Sequence, residues 1–311
     1  MTPLEALSWQ QSVIDRGNER RQDPGFISSL SADPATRVLV VHEGKVLVHD
    51  AALVYSPVEV LSKSDFSVYL GSSLVDSTLP AGTELLTIEL REALSPEDLG
   101  APADARWLNF RQVAAQLTLA DAQYLIEANA ILNWHRVHTH CPRCGVPTSI
   151  EVSGWVRHCP QDGSDHFPRT DPAIIVAVVG ADGRLLLGGG ASWEEHRYST
   201  LAGFVEPGES LEQAVVREIA EEVGVRIHSV NYLGSQAWPF PASLMLGFIA
   251  STDDVEPKPD GVEVTRARWF SKEELVAAVN SGEVVISHRV SIARALIEHW
   301  YGGRIEDAPG K

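Results

Sequence analysis

Apolar and polar positions fall into three textures along the chain. Up to about residue 126, short β-type runs at 37–41, 45–49 and 84–90 are broken by Gly, Pro and Ser. The His42-Glu43-Gly44 step between the first two predicts a hairpin turn. Residues 120–134 place Ala122, Leu125, Ile126 and Asn129 at helical spacing, which predicts a helix. A turn-rich stretch over 139–167 carries every cysteine. Beyond Thr170, strand and helix alternate. The apolar run 173–179 reads as a buried strand, and 184–187 follows it after the Asp182-Gly183 turn. Residues 210–223 read as a helix closed by Gly224, and 244–250 and 264–270 as strands. Ser271 with Glu274 predicts a capping box, and 290–301 a last helix stopped by Gly302 and Gly303. The expected organisation is an N-terminal α+β domain over 1–126, a linker helix and cysteine-bearing segment over 127–169, and an α/β domain over 170–311.

Composition narrows the function classes. A chain of 311 residues with 44% apolar and 22% charged residues has ordinary globular usage, which excludes disorder as its main state. Lys+Arg number 25 against 42 Asp+Glu, a formal charge of -17, which opposes a broad electrostatic grip on polyanions and leaves local sites open. The run 173–179 is far shorter than the roughly 20 residues of a membrane span. Residues 1–10 carry no basic region followed by an apolar stretch, so no secretory signal is expected and the expected compartment is the cytoplasm.

The cysteines sit in two matching segments, Cys141-Pro142-Arg143-Cys144-Gly145 and Cys159-Pro160-Gln161-Asp162-Gly163. Two short loops, each ending in Gly, suit a zinc ribbon, because each turn aims its donors at one Zn2+ ion and Gly lets the chain reverse. Three sulfurs leave the fourth position open. Asp162 stands where a fourth cysteine would fall, although a carboxylate is a harder donor than this metal favours. His158 and His166 compete for the place, and a decayed site of reduced thiols is the bland alternative. His135, His138 and His140 read as solvated histidines on a connector.

The segment from Gly203 to Val225 carries the most chemistry. In its helix, Val216, Ile219, Ala220 and Val223 fall at i, i+3, i+4 and i+7 and predict the apolar face. Glu218, Glu221 and Glu222 fall on another face, expected nearly opposite. Like charges at this spacing destabilise a helix. Either the face is simply solvated, or a divalent cation neutralises it, and oxygen-only ligands suit Mg2+ or Mn2+.

The spacing Gly203, Glu209, Arg217, Glu218, Ile219, Glu221, Glu222, Gly224, Val225 fits the Nudix box, Gly-x5-Glu-x7-Arg-Glu-U-x-Glu-Glu-x-Gly-U with U apolar, at every specified position. The chain thus resembles the Nudix hydrolases. That resemblance implies an α/β/α sandwich that hydrolyses a nucleoside diphosphate linked to another group, with cations on Glu218, Glu221 and Glu222 neutralising the diphosphate and activating water. Glu209 pairs with Arg217 in this reading, and Gly203 serves the loop backbone. Downstream, Ser235-Gln236-Ala237-Trp238-Pro239-Phe240-Pro241-Ala242-Ser243 resembles the Ser-Gln-Pro-Trp-Pro-Phe-Pro-x-Ser signature of the NADH pyrophosphatase subfamily, with Ala237 in place of the first Pro. The subfamily order is N-terminal domain, zinc ribbon, Nudix domain, and its ribbon usually has four cysteines, so Asp162 is a second departure.

The subfamily resemblance implies cleavage of NADH or NAD+ to a nicotinamide mononucleotide and AMP, removal of NAD caps from RNA, and a homodimer. Glu263 matches an additional metal-binding acid. Phe167 and Phe204 match positions that hold substrate rings, Trp238 and Met245 would line the pocket, and Ala293 matches a backbone contact to substrate. Core packing is the alternative for each aromatic. Other classes fare less well. Gly188-Gly189-Gly190 lacks the third Gly of a dinucleotide-binding Gly-x-Gly-x-x-Gly loop, with Trp193 in its place. A non-catalytic NAD- or RNA-binding regulator is disfavoured by the intact Glu218, Glu221 and Glu222. A Nudix enzyme for ADP-ribose is disfavoured by Trp238-Pro239-Phe240-Pro241.

Overall fold

The computed structural model describes residues 11–307. The stretch 1–10, where no secretory signal is expected, lies outside the described residues. Among the described residues no helix is long and apolar enough to cross a membrane. The described residues divide into two compact units, one made of 11–170 with 238–242, the other of 171–237 and 243–307.

The first unit opens with β1 (Ile14–Asp15), α1 (Phe26–Ser31), β2 (Arg37–His42), β3 (Lys45–His49), β4 (Ala52–Leu53), β5 (Val68–Ser73), β6 (Glu84–Glu89) and β7 (Arg106–Asn109). These form one mixed sheet in the order β1-β5-β6-β2-β3-β4, with β7 also pairing β3. The β2–β3 hairpin turns on Glu43 and Gly44, both at positive φ (50° and 71°), as a two-residue turn between right-twisted strands requires. The short helix α2 (Phe110–Val113) leads to α3 (Leu119–Val137), capped by Thr118 and packed on β2, β5 and β6. Ala122, Leu125, Ile126 and Asn129 are all buried on α3. The helix runs through residue 126 and three residues past the expected Trp134, because it is buried on most sides and tertiary packing carries it beyond its own periodicity. A small antiparallel sheet follows, β8 (Ser149–Glu151), β9 (Val156–His158) and β10 (Asp165–His166), in the order β10-β9-β8.

The second unit is an α/β/α sandwich. Its strands are β11 (Asp171–Gly180), β12 (Leu185–Gly190), β13 (Leu201–Phe204), β14 (Ser229–Trp238), β15 (Ser243–Thr252) and β16 (Val264–Phe270). The order is β14-β15-β11-β12-β16, with β13 also paired to β11. Its helices are α4 (Leu211–Val223), α5 (Lys272–Ser281) and α6 (Ile292–Tyr301). The unbroken apolar run of β11 is explained by burial on both faces. Ile174, Val176 and Val178 join Val215, Ile219 and Val223 of α4 in one core. Ile175 and Ala177 join Leu275 of α5 and Leu296 and Ile297 of α6 in the other. The Gly188-Gly189-Gly190 tract ends β12, and added Cβ atoms at the first two would press on Leu201 and Arg266.

One buried group in the first unit carries a pH signature. Glu127 of α3 is 6% exposed and paired with Arg16 at 3.3 Å. Burial raises its pKa from the ordinary 4.5 to about 7, against the pull of Arg16 and Arg21. The folded state therefore holds a proton that the unfolded state has released, and Glu127 costs stability as pH climbs between those values. Glu127→Gln is expected to gain stability relative to wild type as pH rises from about 4.5 to 7, by at most about 3 kcal/mol, and to hold a constant gap above that. Urea titrations of both proteins across this range check it, and parallel curves would sink the assignment.

Candidate active site and metal centres

The acidic helix is built locally. Ser210 accepts the Gln213 N–H and the Gln213 side chain accepts the Ser210 N–H, a complete capping box. Gly224, at φ 64°, ends the helix in the left-handed conformation. The buried stripe of α4 is Ala214, Val215, Ile219 and Val223. Val216 and Ala220, expected in that stripe, face outward, and Val216 is 42% exposed. The stripe therefore lies beside the carboxylates rather than opposite them. This carries Glu222 into the buried margin of the helix, at 7% exposure, with Glu218 half-buried and Glu221 exposed.

Arg217 is the hub of this region. Its Nε and Nη2 donate to the two carboxylate oxygens of Glu209 at 2.6 and 2.9 Å, and Nη2 also donates to the Phe204 carbonyl at 2.9 Å. Its Nη1 lies 2.9 Å from both Glu218 and Glu221. Glu209 in turn accepts the Glu206 N–H at 2.9 Å. The Arg217 guanidinium, then that N–H, hold the Glu209 pKa below its ordinary value. Gly203 sits in β13 opposite α4, where an added Cβ would overlap the Glu218 carboxyl group. The glycine is required for close approach, not for an unusual backbone angle.

Glu222 differs from its neighbours. Burial, then the charges of Glu218, Glu263 and Asp260, push its pKa up to about 8. Burial also raises Glu218. The Glu222 Oε2 atom is buried and has no hydrogen-bond partner among the described residues. A buried acceptor without a partner is costly. The donor set around it consists of carboxylates, and a hard divalent cation is the group that such a set fits.

The remaining expected site residues fall in several places. Phe204 is 56% exposed in β13, beside the same loop. Met245 in β15 and the buried Ala293 in α6 belong to the core on the α5–α6 face, away from the α4 face. The Ala293 N–H is taken by Ser291 Oγ at 3.2 Å. Phe167 and Trp238 belong to the first unit. Phe167 is 66% exposed, whereas Trp238 packs edge-on against Phe110 and Phe240 at 5.9 and 5.2 Å. Sequence reasoning quoted Gln236 without giving it a task. It is buried, donates to the Val290 carbonyl at 2.7 Å and accepts the Ile292 N–H at 2.8 Å, so it fixes the entry to α6. Its strand, Ser229–Trp238, mixes polar and apolar residues without clean alternation, so no local signal marked Gln236 as buried.

The cysteine segments form two matched knuckles. The Gly145 N–H returns to the Cys141 carbonyl at 2.9 Å and the Gly163 N–H to the Cys159 carbonyl at 3.0 Å, with both glycines at positive φ. Cys141, Cys144, Cys159 and Asp162 bring one donor atom each to within 4.8 Å of one another. Asp162 Oδ1 accepts the Ser164 N–H at 2.9 Å and hydroxyl at 2.5 Å, and Oδ2 faces Cys141 Sγ at 3.4 Å. Of the two expected competitors, His158 pairs with Asp165 at 2.7 Å, whereas His166 lies beside the cluster, 3.1 Å from Ser164 Oγ and hydrogen-bonded to Cys141. Burial works against the Cys141 thiolate, but the N–H groups of Cys144 and Arg143, with the His166 and Cys144 side chains, outweigh it and bring the thiol down to about 6.

Family models match along the chain in this order: an NADH pyrophosphatase-like rudimentary NUDIX domain over 35–134, an NADH pyrophosphatase zinc ribbon domain over 136–167, and a NUDIX domain over 169–293. The chain belongs to the NADH pyrophosphatase (NudC-type) family of Nudix hydrolases. It is 37% identical to the NAD-capped RNA hydrolase NudC of Mycobacterium tuberculosis, over 87% of this chain and 85% of the relative. It is 42% identical to the protein of that name from Stutzerimonas stutzeri, over 67% and 73%. It is also 38% identical to the NAD-capped RNA hydrolase NUDT12 of Macaca fascicularis, over 60% and 43%.

The Gly203 contact makes a direct prediction. Gly203→Ala is expected to cost about 1–3 kcal/mol of stability by overpacking against Glu218. Denaturant unfolding measures this, and an unchanged midpoint would show that Glu218 can move aside freely.

Proposed function

We propose that this protein hydrolyses the diphosphate of NADH or NAD+ to a nicotinamide mononucleotide and AMP, and removes NAD caps from RNA 5′ ends. The observation that carries the reading is the buried, unpartnered Glu222 oxygen among Glu218 and Glu263 in a chain of this family. Glu218, Glu221, Glu222 and Glu263 are the residues that would hold Mg2+ or Mn2+. Such cations neutralise the diphosphate and lower the pKa of water. The protein's own part is positional: Arg217 fixes the loop that presents Phe204, and the exposed Phe204 ring offers a stacking face for nicotinamide or adenine, while Phe167 is assigned to ring binding on the family resemblance. Trp238, Met245 and Ala293 are assigned to substrate recognition on the family resemblance. Residues 170–311 form the catalytic domain in this reading, preceded by the ribbon with its helix (127–169) and the N-terminal domain (1–126). A cytoplasmic homodimer is the working assembly.

The test is product chromatography after incubation with NADH and Mg2+ or Mn2+, with NAD-capped RNA and ADP-ribose in parallel. AMP plus reduced nicotinamide mononucleotide, abolished by a chelator, is the expected result; cleavage of ADP-ribose alone would overturn the substrate assignment. Outer partners of metal ligands cost about 10–100-fold when removed, so Glu222→Gln is expected to lose at least about 100-fold in turnover. It should do so without loss of fold, because Gln is a near-isosteric neutral substitute for a carboxyl group that burial already holds largely protonated.

Zn2+ is the ion we assign to Cys141, Cys144, Cys159 and Asp162, in a structural role. Protein purified without chelator is expected to carry it by elemental analysis. Asp162→Ala should lose it to a chelator faster than wild type, and Asp162→Cys more slowly, since thiolate is the softer donor. Equal release from all three would remove Asp162 from the ligand set.

A further inference from the structure

Asp260 lies in the segment between β15 and β16 and matches none of the specified box positions. Its backbone N–H donates to the Glu222 carbonyl at 2.9 Å, and the neighbouring Lys258 N–H donates to the Val223 carbonyl at 2.7 Å. The segment is thus tied to the C-terminal turn of α4. The Asp260 side chain then folds the segment on itself. Its Oδ2 accepts the Glu263 N–H at 3.1 Å and its Oδ1 accepts the Val264 N–H at 2.8 Å. The Gly261 N–H closes the same turn on the Val264 carbonyl at 3.0 Å, with Gly261 at φ 75°. On its other side the Glu263 carbonyl accepts the Ala191 N–H at 3.1 Å.

We propose that Asp260 is a positioning residue for the metal-binding carboxylates, holding Glu263 in register with Glu222 through these backbone bonds. The inference rests on the reading that Glu222 and Glu263 bind a divalent cation. Each Asp260 oxygen already accepts an N–H, so its task is to fix the turn, whereas Glu222 Oε2 is left for the cation. Bonds from N–H to an ionised carboxylate are about twice as strong as neutral ones, which suits a carboxylate to this task. Aspartate is also the carboxylate short enough to close such a turn on its own following backbone, and a glutamate carries its oxygens one methylene too far.

The charge of Asp260 also stands near Glu222, so position and field must be separated. The experiment measures Mn2+ binding to the full-length protein by electron paramagnetic resonance of the free ion, without substrate, for wild type, Asp260→Ala, Asp260→Asn, Asp260→Glu and Glu263→Gln. Asp260→Ala is expected to weaken Mn2+ about tenfold. Asp260→Asn keeps the short side chain and one acceptor oxygen and should fall between Ala and wild type. Asp260→Glu keeps the charge and loses the turn, and should be as weak as Ala. In turnover, the Ala variant should need more metal and recover at saturation. Wild-type binding by Asp260→Ala overturns the inference. So does a Glu variant that binds like wild type beside an Asn variant as weak as Ala, because that pattern reports the field alone. Should the Ala variant fail to fold, the Asn and Glu pair decides. If Glu263→Gln also binds Mn2+ like wild type, the ligand assignment itself fails; if only Glu263→Gln is weakened, Asp260 alone loses its role.

Discussion

The acidic site depends on one guanidinium. Arg217 donates to both oxygens of Glu209, to the Phe204 carbonyl and toward Glu218 and Glu221. A planar fork with five N–H donors can serve a carboxylate, a carbonyl and two further carboxylates from one position; an ammonium cannot. Through these bonds the loop ahead of α4 is fastened to the helix, and the helix can carry adjacent carboxylates. Arg217 is held strongly in its charged form for the same reason, with the Glu209 bonds as the largest contribution.

That hub leaves a remainder. Glu209, Glu218 and Glu221 share Arg217, while Glu222 is set among Glu218, Glu263 and Asp260. Its position follows from packing: α4 buries Val215, Ile219 and Val223 against β11, and residue 222 lies at the edge of that stripe. With its pKa near 8, Glu222 is largely protonated at neutral pH when no cation faces it. A cation bound there, as proposed, would displace that proton, and its affinity would then rise with pH. Among the described residues the Glu222 Oε2 acceptor is buried without a hydrogen-bond partner, a local cost of the kind that functional sites carry.

Much of the catalytic unit was legible in the sequence because its signals are local. The Ser271–Glu274 capping box, the Gly224 stop and the Glu209–Arg217 spacing act within a few turns of chain. The continuous apolar run of β11 announces a strand buried on both faces. The α4 stripe was misassigned because Val216 and Ala220 are apolar yet face out, and apolar character alone does not tell a buried position from an exposed one. The strands Val68–Ser73 and Ser229–Trp238 escaped notice for other reasons. Val68–Ser73 breaks its register between Tyr69 and Gly71. Ser229–Trp238 is an edge strand whose first residues are mostly exposed and do not alternate cleanly. Ribbon strands of two or three residues have no readable period. The link between Glu222 and Glu263 depends on how the segment before β16 folds back on α4, which no periodicity encodes.

The cysteine centre solves a similar problem by different chemistry. With Asp162 as the proposed fourth donor, the set keeps the formal charge that a fourth thiolate would give, whereas a histidine would change it. What changes is softness, and the carboxylate offers two oxygens where a sulfur offers one atom. Ser164 removes that ambiguity by engaging Oδ1 through both its N–H and its hydroxyl, leaving Oδ2 toward the sulfurs. Those same bonds hold the Asp162 pKa well below its ordinary value and so keep its carboxylate ionised. Asp260 is treated in the same way, its two oxygens committed to backbone N–H groups and its pKa lowered by them. At both centres, a short carboxylate held by its own following backbone provides fixed geometry. At α4, the longer carboxylate of Glu222 keeps an oxygen with no hydrogen-bond partner among the described residues, which is why the proposed cation is placed there.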